Sequence, residues 1–159
     1  MKTSKKAARV ADPQWERRVR ESFGRQGLMR YLGAELAGLR AGECEIRVIY
    51  REELTQQHGY FHGGVTAAIA DSASGYAAYT LMPTGYSVLA VEYKINFVAP
   101  AQGEMLAARA RVVRSGKTLT ICAADVFAVK DGAETVCATA LSTIMAMAGK
   151  PDSRDGRNG

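Results

Sequence analysis

The residues of this chain that can do chemistry crowd into one stretch. Both histidines, His58 and His62, lie within residues 58–81, together with the adjacent glycines Gly63 and Gly64 and the carboxylate Asp71. Between residues 54 and 91 there is no lysine or arginine, and Asp71 is the sole acid. A lone carboxylate in an apolar run is costly to bury unless something uses or satisfies it. Glycines at a helix start allow close approach to unpaired N–H groups at the positive end of the helix dipole. Such a place suits an oxyanion. A carboxylate in apolar surroundings can act as a base toward water or attack a carbonyl directly. The two features together suit acyl transfer. The residues alone also allow a tight helix start without a ligand and a structural acid bonded to a neighbouring serine.

Spacing restricts how these groups can cooperate. Gly63 and Asp71 are eight residues apart, or about 12 Å along a helix at about 1.5 Å per residue. A base must sit about 3 Å from what it activates. Gly63 and Asp71 of one chain are therefore not expected to serve one substrate. Two such helices packed antiparallel about a two-fold axis would set Gly63 of one chain beside Asp71 of the other, so a homodimer with shared sites is expected.

The elements around the stretch must hold it in place. Val65, Ala67, Ala68, Ile69 and Ala70 predict a helix buried nearly all round, stopped by Pro83, Thr84 and Gly85. Before it, Asp12-Pro13 predicts an N-capped helix over 12–26 with Pro at its first position. Trp15, Val19, Phe23 and Leu28 would form its apolar stripe. Period-two patterns predict strands over 34–39 and 43–50, then 86–98, 104–114, 118–129 and 134–147. In the third of these, Leu89, Val91, Tyr93, Ile95 and Phe97 are expected on one face, with Glu92, Lys94 and Asn96 on the other. Asp131-Gly132 is a hairpin signal. Four successive strands with short turns predict an antiparallel meander. The fold class is α+β, one domain over 11–147, between a basic tail at 1–10 and a second tail at 148–159, both expected to be disordered.

Composition removes several function classes. The chain has 159 residues and a formal charge of +5. The two tails hold seven of the 21 basic residues and two of the 16 acidic ones, which leaves the body neutral at fourteen of each. Nucleic acid is therefore not an expected partner. No apolar run suits a membrane span or a signal peptide. Cys44, Cys122 and Cys137 lack a CxxC pattern and a neighbouring histidine, so reduced core cysteines, a cytoplasmic setting and no metal are expected.

The run His62-Gly63-Gly64-Val65-Thr66-Ala67-Ala68-Ile69-Ala70-Asp71, followed by more helix and four strands, resembles the hotdog-fold acyl-CoA thioesterases. The nearest type is the phenylacetate-pathway (PaaI-type) branch, related to the 4-hydroxybenzoyl-CoA thioesterases. Residues 91–101 and the turn 115–118 also fit the family's pattern, and the resemblance covers about residues 30–147. It implies a long central helix wrapped by an antiparallel sheet, dimers that can pair into tetramers, an acyl-CoA substrate and no cofactor. It further implies that Gly63 polarises the thioester carbonyl and that Asp71 is the catalytic carboxylate. Gln56 would orient the carbonyl or the water, and His62 is the helix-start histidine. Gly64 would line the substrate, and Arg114 and Lys117 would hold the phosphates of coenzyme A. His58 is expected to be structural. The chain departs from the family where relatives carry a hydroxyl helper: it has Gly75 and Ala90 there, and Ser72, Ser74 or a water would have to substitute. A non-catalytic acyl-CoA binding or sensor domain is the alternative of another class.

Overall fold

The computed structural model describes residues 10–150 and 152. The basic segment 1–9, residue 151 and residues 153–159 lie outside the described residues.

Among the described residues three α-helices and six strands follow in chain order: α1 (Trp15–Arg25), α2 (Gly27–Leu32), β1 (Glu35–Arg40), β2 (Glu43–Ile49), α3 (Gly63–Tyr79), β3 (Tyr86–Phe97), β4 (Met105–Ser115), β5 (Leu119–Lys130) and β6 (Ala133–Ala148). All six strands form one antiparallel sheet in the order β1-β2-β4-β5-β6-β3. The sheet curls around α3, which packs on β2 through β6. This is the hotdog arrangement.

The inner sheet face and α3 make the core. Ile46, Val48, Leu106, Ala108, Cys122, Val126 and Ile144 meet Ile69, Ala73, Ala77 and Tyr79 from the helix. Alanine on both sides brings backbone close to backbone, which α3 needs to sit inside a curved sheet. At the C-terminal end of the helix the carbonyls without intrahelical partners need donors. The N–H groups of Thr80, Leu81 and Met82 serve Tyr76, Ala78 and Tyr79, and Arg18 of α1 adds to them: its guanidinium donates to the carbonyls of Tyr79 (3.2 Å), Met82 (2.7 Å) and Pro83 (2.6 Å). The same group lies 4.4 Å from the centre of the Tyr79 ring and 3.3 Å from Asp12.

Four expectations are corrected. First, β4, β5 and β6 form a meander, but β3 pairs with β6 and not with β4. The link from Val98 to Glu104 carries the chain across the helix start, where Phe61 N–H donates to Ala101 and Glu104 N–H to Val129. Gly103 is needed there, since a Cβ would lie 2.0 Å from the Val129 carbonyl oxygen. β3 is thus left as an edge. Second, a bulge between Ala90 and Glu92 shifts the register of β3. Leu89 pairs with Met145, whereas Tyr93, Ile95 and Phe97 pair with Ser142, Ala140 and Ala138, so Leu89 does not share their face. Third, the N-terminal helix breaks at Gln26, whose extended backbone (ψ 110°) starts the short α2 and leaves Leu28 exposed. Its N-cap is Gln14, and Asp12 instead accepts from Gln14 N–H at 2.9 Å. Fourth, β6 runs through Ala148, and Asp152 pairs with Arg25 at 2.6 Å, so part of the segment 148–159 is placed on the domain.

The hairpin at Asp131-Gly132 is present, with both residues at positive φ (52° and 78°), as a tight two-residue turn requires. The three cysteines are free and buried, and burial pushes the thiols of Cys44 and Cys122 up to about 12. Such thiols are inert as nucleophiles near neutrality.

Candidate active site

The start of α3 is built by its own histidine. His62 is the N-cap, and its Nδ1 accepts the N–H of Gly64 at 2.8 Å. Its carbonyl accepts the N–H groups of Val65 and Thr66. Neutral His62 therefore carries its proton on Nε2, the nitrogen left free to donate. Among the described residues the N–H of Gly63 has no acceptor. Phe97, at the end of β3, lies over Gly63: a Cβ there would be 3.1 Å from Cζ of the ring. A Cβ on Gly64 would sit 3.0 Å from the His62 imidazole, so the glycine pair and the cap fit each other.

Gln56 lies in the loop that leads to the helix. Its side-chain oxygen accepts the N–H of His58, and its backbone N–H donates to Tyr60 at 2.9 Å. His58 is exposed. Leu54 anchors the loop by accepting the N–H of His62 at 2.8 Å. His62, Gly63 and Gly64 thus build the helix start, and Gln56 lies in the loop before it with its side-chain oxygen turned back to His58.

Asp71 belongs to a second cluster two turns further on. It lines a cavity of about 90 Å³ with Gln26, Ser72, Gly75, Tyr76, Val88 and Ala90. Its Oδ1 is buried and has no hydrogen-bond partner among the described residues. Burial raises its pKa above the usual carboxylate range, because desolvation penalises the charged form. Ser74 is spent on the carbonyl of Ala70 (2.9 Å) inside the helix. Ser72 instead points to Gln26, donating to its Oε1 at 3.3 Å. Nε2 of Gln26 donates to the Tyr76 hydroxyl at 3.0 Å, and that hydroxyl lies 3.2 Å from Oγ of Ser22. Gln26 was not legible as a site residue. Its sole sequence signal is a polar residue directly after an amphipathic helix.

Arg114 and Lys117 are exposed at the β4–β5 turn. Thr118 in that turn accepts the N–H of Ala146, which pairs with Val88 in β3. The turn therefore lies at the sheet end that also carries the Asp71 cavity. Phe97 and Gly63 mark the other end of β3. Within one chain the two clusters do not meet. Among the described residues no group of three or more His, Cys, Asp or Glu side chains gathers as a metal site would require, and no helix is long and apolar enough to cross a membrane.

Comparison with known proteins adds to this geometry. Residues 58–141 match the model of the thioesterase superfamily. A crystal structure of a thioesterase family protein from Silicibacter pomeroyi is 46% identical, covers 85% of this chain and 99% of its own, and superposes with a TM-score of 0.84. Acyl-coenzyme A thioesterase 13 of Mus musculus is 36% identical over 85 residues, 52% of this chain and 57% of that protein. The PaaI protein from the phenylacetic acid degradation operon of E. coli shares the fold, with a TM-score of 0.76 at 19% identity over 86% of this chain and 96% of its own. The chain belongs to the thioesterase superfamily and is a thioester hydrolase.

Proposed function

We propose that the protein hydrolyses acyl-CoA thioesters to the free acid and coenzyme A, at sites shared between two copies of the chain. The observation that carries this is Asp71, a cavity-lining carboxylate with one buried oxygen that has no partner, on the same helix whose first N–H has no acceptor among the described residues. The N–H of Gly63, at the positive end of α3, polarises the thioester carbonyl and holds the oxyanion. Nε2–H of His62 stands beside it as a second donor, and Gln56 orients the carbonyl from the loop. Asp71 is the base toward water, or the nucleophile that is itself acylated and then released by water. Gly64 lines the thioester, and Arg114 and Lys117 take the phosphates of the coenzyme at the Asp71 end of the sheet. The name of the mouse relative supports an acyl-CoA substrate.

The shared site is supported by what the fold leaves uncovered. β3 is an unpaired edge with exposed Leu89 (53%), Val91 (53%), Tyr93 (45%) and Phe97 (57%). An edge of this kind invites a partner strand. The only part of α3 that is not buried is a stripe through Gly64, Ala68, Asp71 and Gly75 and their immediate neighbours. Pairing two β3 edges antiparallel about a two-fold axis sets the Phe97 end of one against the Val88 end of the other. That brings Gly63 of one protomer toward the Asp71 cavity of its partner and covers both stripes.

The test is a panel of acyl-CoAs incubated with purified protein and a reagent for free thiols. Thiol release that Asp71→Asn abolishes is the expected result. Tight acyl-CoA binding without thiol release would replace this reading with a non-catalytic acyl-CoA sensor.

A further inference from the structure

The cavity beside Asp71 has few groups able to hold a water. Val88, Ala90 and Gly75 offer no side-chain hydrogen bond. A Cβ on Gly75 would meet nothing within 4 Å, so the space there is open. Apart from Asp71 itself, the polar side chains of the lining are Gln26, Ser72 and Tyr76. They are joined in one chain of hydrogen bonds from Ser22 through Tyr76 and Gln26 to Ser72. Gln26 brings this chain in from the break between α1 and α2, outside the stretch matched to the family model.

We infer that Gln26 and Ser72 position the hydrolytic water for Asp71. The inference rests on the proposed role of Asp71. The direction of each bond matters. Ser72 spends its proton on Oε1 of Gln26, so its oxygen keeps lone pairs for an incoming donor. In this orientation of the amide Nε2 is given to the tyrosine oxygen and Oε1 is the end turned to Ser72. The amide thus fixes Ser72 as an acceptor. A water in the cavity gives one hydrogen to the Asp71 carboxylate and the other to Ser72, which aims its lone pair at the acyl carbon. In the reaction the water oxygen bonds to that carbon, its proton passes to Asp71, the carbon–sulfur bond breaks, and the thiolate of the coenzyme takes the proton from Asp71. If Asp71 is acylated first, the same water attacks the resulting anhydride. Ser72 and Gln26 are positioning residues in either case.

The test combines four variants, Ser72→Ala, Gln26→Ala, Gln26→Glu and Asp71→Asn, assayed for kcat, KM and pH dependence on the best acyl-CoA of the panel. Ser72→Ala and Gln26→Ala are expected to lower kcat about ten-fold or more with KM nearly unchanged, since they remove an interaction made in the chemical step. The double variant should be no worse than the poorer single one, because both act through one water. Gln26→Glu keeps an acceptor for Ser72 and should restore part of kcat. It also puts a second carboxylate in the cavity, which should move the acid limb of the pH profile upward. A purely structural role predicts lower thermal stability in Gln26→Ala and Ser72→Ala with kcat of the folded enzyme unchanged. If Asp71→Asn is inactive while Gln26→Ala and Ser72→Ala keep wild-type kcat, this inference fails and the role of Asp71 stands. If Asp71→Asn is fully active, both fail.

Discussion

Phe97 lies over Gly63, its ring 3.1 Å from where a Cβ on that glycine would be. The contact ties the N-terminal end of α3 to the far end of the free β3 edge. It also sets up a sharp experiment. Gly63 is the first helical residue, and proline is at home there because that N–H has no intrahelical partner. His62 before it already has the extended backbone (φ −62°, ψ 139°) that a following proline demands. Gly63→Pro should therefore fold, with Phe97 swinging aside, and lose about 10²–10³ in kcat through the missing donor. Gly63→Ala keeps the N–H and should retain far more activity. Steady-state kinetics beside circular dichroism decides it, and equal losses in the two variants would speak against an N–H role.

A shared site predicts complementation. Asp71→Asn and Gly63→Pro should each be nearly inactive as homodimers. In a mixed dimer one site combines an intact Gly63 with an intact Asp71, so co-expression should restore up to half of the activity per heterodimer. Differently tagged chains purified in tandem provide the sample. A fully active monomer by sedimentation, or inactive heterodimers, would contradict the arrangement.

The raised pKa of Asp71 has consequences for stability as well as rate. Its native form holds a proton at pH values where the unfolded chain has already released it. Stability therefore falls as pH rises from about the unperturbed value of 3.8 through the native pKa. Above that window the buried charge is a standing cost. Asp71→Asn should raise the melting temperature near pH 7 and lose this advantage as pH drops toward 4. In the active enzyme the acid limb of kcat/KM should fall above the ordinary carboxylate range. Melting curves and rates across pH 3.5–8 check both; a variant less stable than wild type at pH 7 would argue for a structural acid.

Arg18 tests the seat of the helix. It serves three carbonyls at and just after the C-terminal end of α3 and pairs with buried Asp12. Arg18→Ala should cost about 3 kcal/mol, since it leaves a buried carboxylate without its counter-charge and takes a donor from three carbonyls. Arg18→Lys should recover only part of this, because one ammonium cannot reproduce the planar fork. Urea melts provide the measurement, and a loss below about 1 kcal/mol in the alanine variant would show that water satisfies these carbonyls equally well.

The capping role of His62 is separable from any role on substrate. His62→Asn keeps a side-chain acceptor suited to the N-cap, whereas His62→Ala leaves Gly64 N–H without its partner and should cost about 1 kcal/mol. If Nε2–H also contacts the thioester, the asparagine variant will be stable yet slower. Equal rates in wild type and asparagine variant would confine His62 to the cap.

The sequence determined the elements and the chemistry of the central stretch. Alternating strands, the glycine pair and the solitary Asp71 are local signals, set by periodicity and by the cost of burying charge. The distance between Gly63 and Asp71 followed from helical rise alone, and with it the proposal of a site shared by two chains. Tertiary structure decided what depends on long-range pairing. β3 joins β6 because the loop through Gly103 crosses the helix start, a choice that no strand pattern encodes. The bulge after Ala90 reset which side of β3 each residue faces. Gln26 reached Asp71 because the chain breaks between α1 and α2 and turns one amide inward, across 46 residues from Ser72. A polar residue at a helix end is common in sequence; only packing tells which one is pressed into a cavity beside an unpaired carboxylate.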